Sequence, residues 1–142
     1  MINVLFVCIH NSARSQMAET YLNHFGAGKY KAQSAGIEPG KLNQVVVKAM
    51  QDDGFDISGN GTKSVDDMLQ SRQLFDFVVT VCDEASAERC PVFPGPGKRL
   101  HWGFPDPSSF GGDEAEKLSQ TIIVRNAIRQ KVQEFVNQNT AV

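Results

Sequence analysis

Short apolar runs alternating with stretches of helical period constrain this chain more than any other feature. Residues 2–7, Ile2-Asn3-Val4-Leu5-Phe6-Val7, are an apolar run that ends at Cys8. That is the pattern of a strand buried on both faces. A helix is predicted over 15–25, where Met17, Tyr21 and Phe25 recur at spacing four beside Ala18 and Leu22, and Gly26 stops it. Residues 30–35 read as a short strand. Residues 42–53 read as a helix with Leu42, Val45, Val46, Ala49 and Met50 on one face, closed by Gly54. Ser64 caps a short helix in Val65-Asp66-Asp67-Met68-Leu69. Residues 74–82 give the clearest central strand, and 83–90 are polar and open to a helical reading. Residues 91–97 hold three prolines and two glycines and are loop. The last strand is expected within 98–104. A long helix is predicted over 113–137, its apolar stripe running through Leu118, Ile122, Val124, Arg125, Ile128, Val132, Phe135 and Val136, and the tail 138–142 is expected to fray. Strands alternating with helices imply a parallel sheet covered on both faces, in one domain over residues 1–142. Ligands of such sheets sit beyond the carboxyl ends of the strands, which directs attention to Cys8.

The bulk composition narrows the function classes. A chain of 142 residues, 41 % hydrophobic and 21 % charged, suits an ordinary globular domain. Its net charge of -2 gives no broad basic face for nucleic acid. No apolar run approaches the ~20 residues that span a bilayer, and residues 1–7 lack the basic start and cleavage site of a signal peptide. A cytoplasmic location is expected. Three cysteines cannot all be paired within one monomer, and in a reducing compartment cysteines are catalytic, redox-active or simply buried.

The segment Cys8-Ile9-His10-Asn11-Ser12-Ala13-Arg14-Ser15 joins the first strand to the first helix in the form Cys-x5-Arg-Ser. A tight loop there can turn the backbone N–H groups of Ile9, His10, Asn11, Ser12 and Ala13 inward, and the helix adds its positive end. Together they cradle a tetrahedral oxyanion, Arg14 forking onto two of its oxygens. Cys8 then lies beneath the central atom, where the same field favours the nucleophilic thiolate over the thiol. Ser15 can donate to that sulfur. Asn11 braces the loop and His10 lines its rim. The plain alternative is that Cys8 is a small buried hydrophobe at a strand end. The segment lacks the Gly-x4-Gly-Lys pattern of a nucleotide-binding loop.

Val4-Leu5-Phe6-Val7-Cys8 and Asn11-Ser12-Ala13-Arg14-Ser15-Gln16-Met17-Ala18-Glu19 resemble the active-site segment of the low-molecular-weight protein tyrosine phosphatase superfamily, and especially its thioredoxin-coupled arsenate reductase branch. The likeness continues at Ser34-Ala35-Gly36, Val79-Thr80-Val81-Cys82 and His101-Trp102-Gly103-Phe104-Pro105-Asp106-Pro107. It implies an α/β three-layer sandwich, a four-stranded parallel sheet flanked by helices. It also implies Asp106 as the general acid that protonates a leaving oxygen. From the residues alone, Asp106-Pro107 reads as a turn.

Cys82 and Cys90 separate two chemistries. Thiol exchange allows a relay. Cys8 attacks arsenic; Cys82 attacks the Cys8 sulfur and arsenite leaves; Cys90 attacks Cys82; an external dithiol reduces the resulting bridge. The resemblance implies thioredoxin as that dithiol, although a glutathione–glutaredoxin couple serves the same thiols. No tightly bound cofactor or metal is expected. The protein is expected to act as a monomer, with phosphate or sulfate as competing anions. On the residues alone, Cys82 is equally a buried strand residue and Cys90 a surface thiol. A zinc site from Cys82, Cys90 and His101 matches no standard spacing.

A phosphatase is the main rival, since Cys8, Arg14 and Asp106 serve phosphoryl transfer equally well. Ser108-Ser109 follow Asp-Pro where phosphatases of the superfamily carry aromatic residues, and a phosphatase has no need of Cys82 or Cys90. A metalloid sensor without turnover is a third reading. Some members of the superfamily hold a potassium ion through residues that align with Asn11, Glu19, Ser34 and Thr62. Residues 58–65 lack the Asp expected there and offer Lys63, which argues against a cation site.

Overall fold

The computed structural model describes residues 1–9, 13–37, 40–81 and 97–140. Four strands are separated by helices in the order β1 (Ile2–Cys8), α1 (Arg14–Phe25), β2 (Tyr30–Gly36), α2 (Gln44–Asp52), α3 (Val65–Gln70), β3 (Phe77–Thr80) and β4 (Lys98–His101). A 3-10 turn (Pro107–Ser109) and the long α4 (Glu114–Thr140) complete the chain. The sheet order is β2-β1-β3-β4, and every pairing is parallel.

β1 is central because its side chains have somewhere to go on both sides. Val4, Leu5, Phe6 and Val7 are all fully buried, as expected of a parallel strand covered on both faces. Val4, Phe6 and Cys8 pack with Met17, Tyr21 and Leu22 of α1, Val46 and Met50 of α2, and Val124, Ile128 and Val132 of α4. Leu5 and Val7 face the other way, onto Val65 and Met68 of α3 with Phe75 and Val78. Each such side chain contributes about 1.5–3 kcal/mol on burial, so the first strand anchors both layers. Trp102 lies between Phe6 and Phe135, with ring centroids 5.6 and 5.5 Å away. It is a packing residue. Gly26 ends α1 where the chain turns tightly, since a Cβ there would sit 2.6 Å from the Tyr30 ring.

The three-layer architecture agrees with the sequence reading, and the element boundaries differ in informative places. The central strand covers only Phe77–Thr80 rather than starting at residue 74. Leu74 is exposed, and Asp76 breaks the run by holding the start of β1, its carboxylate accepting the Asn3 N–H at 2.8 Å. α2 begins at Gln44 because the Asn43 side chain accepts from the Val45 and Val46 N–H groups, which makes it a cap rather than a helical residue. Ser64 caps α3 in the same way through Asp67 N–H. α4 continues to Thr140, past the predicted end at 137. The readings of residues 82–96 lie outside the described residues. Among those described, no helix is long and apolar enough to cross a membrane.

Candidate active site

The carboxyl end of β1 delivers Cys8 into the fold with 3 % of its surface exposed. Arg14 and Ser15 open α1, and both are buried. Cys8 Sγ and Ser15 Oγ are 2.8 Å apart. A thiolate can only accept, so with the sulfur ionised the hydroxyl is the donor. Arg14 Nη1 donates to the Phe104 carbonyl oxygen at 3.1 Å, and Nη2 lies 3.7 Å from Asp106 Oδ2. The other carboxylate oxygen of Asp106 accepts the Ser108 N–H at 2.9 Å. Asp106-Pro107 is therefore both the turn that its composition suggests, with Pro at the first position of a 3-10 helix, and a carboxylate aimed at Arg14. Segments nearly a hundred residues apart meet here because β1 and β4 end at the same edge of the sheet.

The start of α1 differs from the other helix starts. Ala13 stands at its N-cap with φ -145° and ψ -88°, with no side-chain cap among the described residues and no acidic residue in the first turn. α2 and α3 cap themselves through Asn43 and Ser64. The positive end of the α1 dipole thus faces the loop with no carboxylate of its own first turn to offset it, an arrangement suited to an anion.

Of the residues expected in the site, the structure brings Cys8, Arg14 and Ser15 together and joins Asp106 to them through Arg14. Ile9 is half-buried and Ala13 buried at the two described edges of the loop. His10, Asn11, Ser12, Cys82 and Cys90 lie outside the described residues. One residue past β3, Val81 N–H still donates to Val7 O at 3.1 Å. One residue earlier, Thr80 Oγ1 and His101 Nδ1 are 2.7 Å apart at the ends of β3 and β4.

Three contacts that support the site escaped the sequence reading. Gln16 is fully buried; its amide donates to Gly61 O at 3.1 Å and accepts from Asn60 Nδ2 at 3.2 Å. The Phe104 backbone carbonyl holds Arg14, and a backbone acceptor leaves no mark in the sequence. Lys63 Nζ lies 3.3 Å from Glu19 Oε1. That last pair bears on the potassium ion. Of the residues aligned with its ligands, Glu19 already faces an ammonium, Thr62 Oγ1 donates to Gly40 O at 2.6 Å, and Asn11 is outside the described residues. Ser34 Oγ is buried without a hydrogen-bond partner among the described residues. One carboxylate shared with a lysine does not suit a second cation. Among the described residues, the ammonium on Glu19 is the feature that opposes an ion there.

Residues 3–141 match the family described as low molecular weight phosphotyrosine protein phosphatase. The chain is 42 % identical to an arsenate reductase of Bacillus subtilis over 133 residues, 93 % of each protein. The crystal structure of an arsenate reductase from Archaeoglobus fulgidus superposes with a TM-score of 0.77 at 31 % identity, over 94 % of this chain and 98 % of that one. A thioredoxin-dependent arsenate reductase of Corynebacterium glutamicum gives a TM-score of 0.59 at 25 % identity, covering 94 % of this chain and 62 % of its own. With the sheet order, the cysteine at the end of β1 and the arginine opening α1, these likenesses establish that the chain belongs to the low molecular weight phosphotyrosine protein phosphatase family.

Proposed function

We propose that this protein is an arsenate reductase that works through Cys8, Cys82 and Cys90 and is recycled by thioredoxin. The reading rests on one observation above all: the Cys8 sulfur lies against Ser15 at the start of a helix whose first residue, Arg14, faces Asp106. In this reading the cradle of residues 8–14 binds arsenate. The Cys8 thiolate bonds to arsenic while Asp106 gives a proton to the oxygen that leaves as water. Cys82, which follows Val81 directly in the chain, attacks the Cys8 sulfur. The S–As bond breaks, its electron pair passes to arsenic, and arsenite departs. Cys90 then attacks Cys82 and releases the Cys8 thiolate, and thioredoxin reduces the Cys82 to Cys90 bridge. A cytoplasmic, monomeric enzyme suits three thiols that must start reduced.

The similarity to arsenate reductases over 93 % of the chain supports arsenate as substrate, and the thioredoxin-dependent relative supports the reductant. Ser108 and Ser109, where a phosphotyrosine ring would need an aromatic clasp, favour reduction over phosphatase work. Cys82→Ser is the deciding variant. In a single round without recycling, it should form no arsenite while still hydrolysing a small aryl phosphate slowly, since that reaction needs only Cys8, Arg14 and Asp106. Arsenite production by the variant at the rate of the unaltered protein would overturn the relay.

A further inference from the structure

The loop around residues 60–63 grips α1 beside the nucleophile at two points. Asn60 and Gly61 hold the Gln16 amide. One turn on, the Lys63 ammonium meets Glu19, whose side chain is only 14 % exposed. Glu19 lies four residues after Ser15, so the two share a face of the helix, and Ser15 is the residue against the Cys8 sulfur. The backbone of Lys63 is tied as well. Its carbonyl accepts the Gly36 N–H at 2.9 Å, and Gly36 is the strand partner of Cys8. Lys63 therefore joins the end of β2, level with the nucleophile, to the helix turn that follows Ser15.

We propose that Lys63 is a positioning residue for Cys8, its ammonium serving as a built-in monovalent cation on Glu19 in place of a potassium ion. A carboxylate largely shielded from water is costly to bury without an opposite charge beside it. A tethered ammonium supplies it without depending on the salt of the medium. The buried, unpartnered Ser34 hydroxyl stands on the sheet face that α1 covers, two residues before Gly36.

The test compares the unaltered protein with Lys63→Met, Lys63→Arg and Glu19→Gln in KCl, LiCl and choline chloride at equal ionic strength. Two quantities are read: the thermal midpoint, and the rate at which iodoacetamide modifies Cys8, followed by peptide mass. Neither depends on the reductase reading, so failure of one leaves the other standing. The unaltered protein and Lys63→Arg should give the same values in all three salts. Lys63→Met should lose about 2–4 °C in choline chloride and change its Cys8 modification rate several-fold, and KCl but not LiCl should restore both. Glu19→Gln should be shifted in every salt with no response to potassium. The proposal is overturned if potassium stabilises the unaltered protein, if Lys63→Met is unshifted, if it is shifted equally in every salt, or if potassium rescues Glu19→Gln.

Discussion

The two ends of α1 are both lined with charge, and they are built in opposite ways. At the carboxyl end, Arg129 Nη1 donates to both oxygens of Asp53 at 2.9 and 3.2 Å, and the Tyr21 hydroxyl donates to the same carboxylate at 2.8 Å. Next to it Arg125 donates to Ala49 O and to Asp52; Tyr21 stacks on Phe25 and meets Phe55 edge to face, and His24 sits edge to face against both phenylalanines. Short hydrogen bonds consume the charges, as in a network whose purpose is to hold helices together. At the amino end the charged pair stands 3.7 Å apart, and among the described residues the helix start has neither a side-chain cap nor an acid in its first turn. The same helix is a structural pin at one end and, in the proposed reading, a receptor for negative charge at the other.

Substitutions should separate the two ends, the amino end altering chemistry and the carboxyl end altering stability. The largest effect is expected for Cys8→Ser, which should lower arsenite production by roughly 10⁴-fold or more with little change in thermal midpoint. Arg14→Lys keeps the charge but loses the planar fork, and turnover should fall roughly 100-fold. Ser15→Ala removes one hydrogen bond to the sulfur, worth about 10-fold or more in rate if the sulfur reacts as an anion. At the other end, Asp53→Ala should leave turnover per folded molecule unchanged and cost about 1–2 kcal/mol in urea unfolding, a figure held down by the partial exposure of Arg129. A drop in turnover for Asp53→Ala without a loss of stability would erase the distinction between the two ends.

The smallest effect concerns alkaline pH. Burial, and then the hydrogen bond to Asp53, push the Tyr21 phenol well above its ordinary range. Burial raises Tyr30 as well. The folded protein therefore retains these protons where the unfolded chain gives them up. Their contribution to stability is complete below about pH 10 and is lost as the pH rises beyond it. Tyr21→Phe should flatten the fall in thermal midpoint above that pH without abolishing it, because Tyr30 remains. An unchanged alkaline slope would remove Tyr21 from the account.

Much of the amino end was legible in the sequence. A run of apolar residues closed by Cys8, followed by a helical period, places Cys8 at the end of a buried strand by periodicity alone, and Arg14 and Ser15 follow from their place at the helix start. Asp106 needed the family resemblance, because nothing local tells a catalytic Asp-Pro from a turn, and here the turn also brings the carboxylate to Arg14. The carboxyl end was hardly legible. Arg125 was placed on an apolar stripe without its partners, and Asp53 was read as the last residue of a helix. Their meaning comes from α4 crossing α1 and α2, a packing relation that no local spacing encodes. Leu74 misled for a related reason: an apolar residue beside a strand looks like core until the neighbouring layer is known.

The chain contains one tryptophan, and its position makes it an optical gauge. Trp102 is wedged between the first strand and the last helix, and its own N–H donates to the Thr80 carbonyl through the backbone. It precedes by a few residues the carbonyl that holds Arg14 and the carboxylate that faces it. Emission from this indole is therefore a built-in reporter for any movement of the acid-bearing segment, and no extrinsic dye is required to watch it.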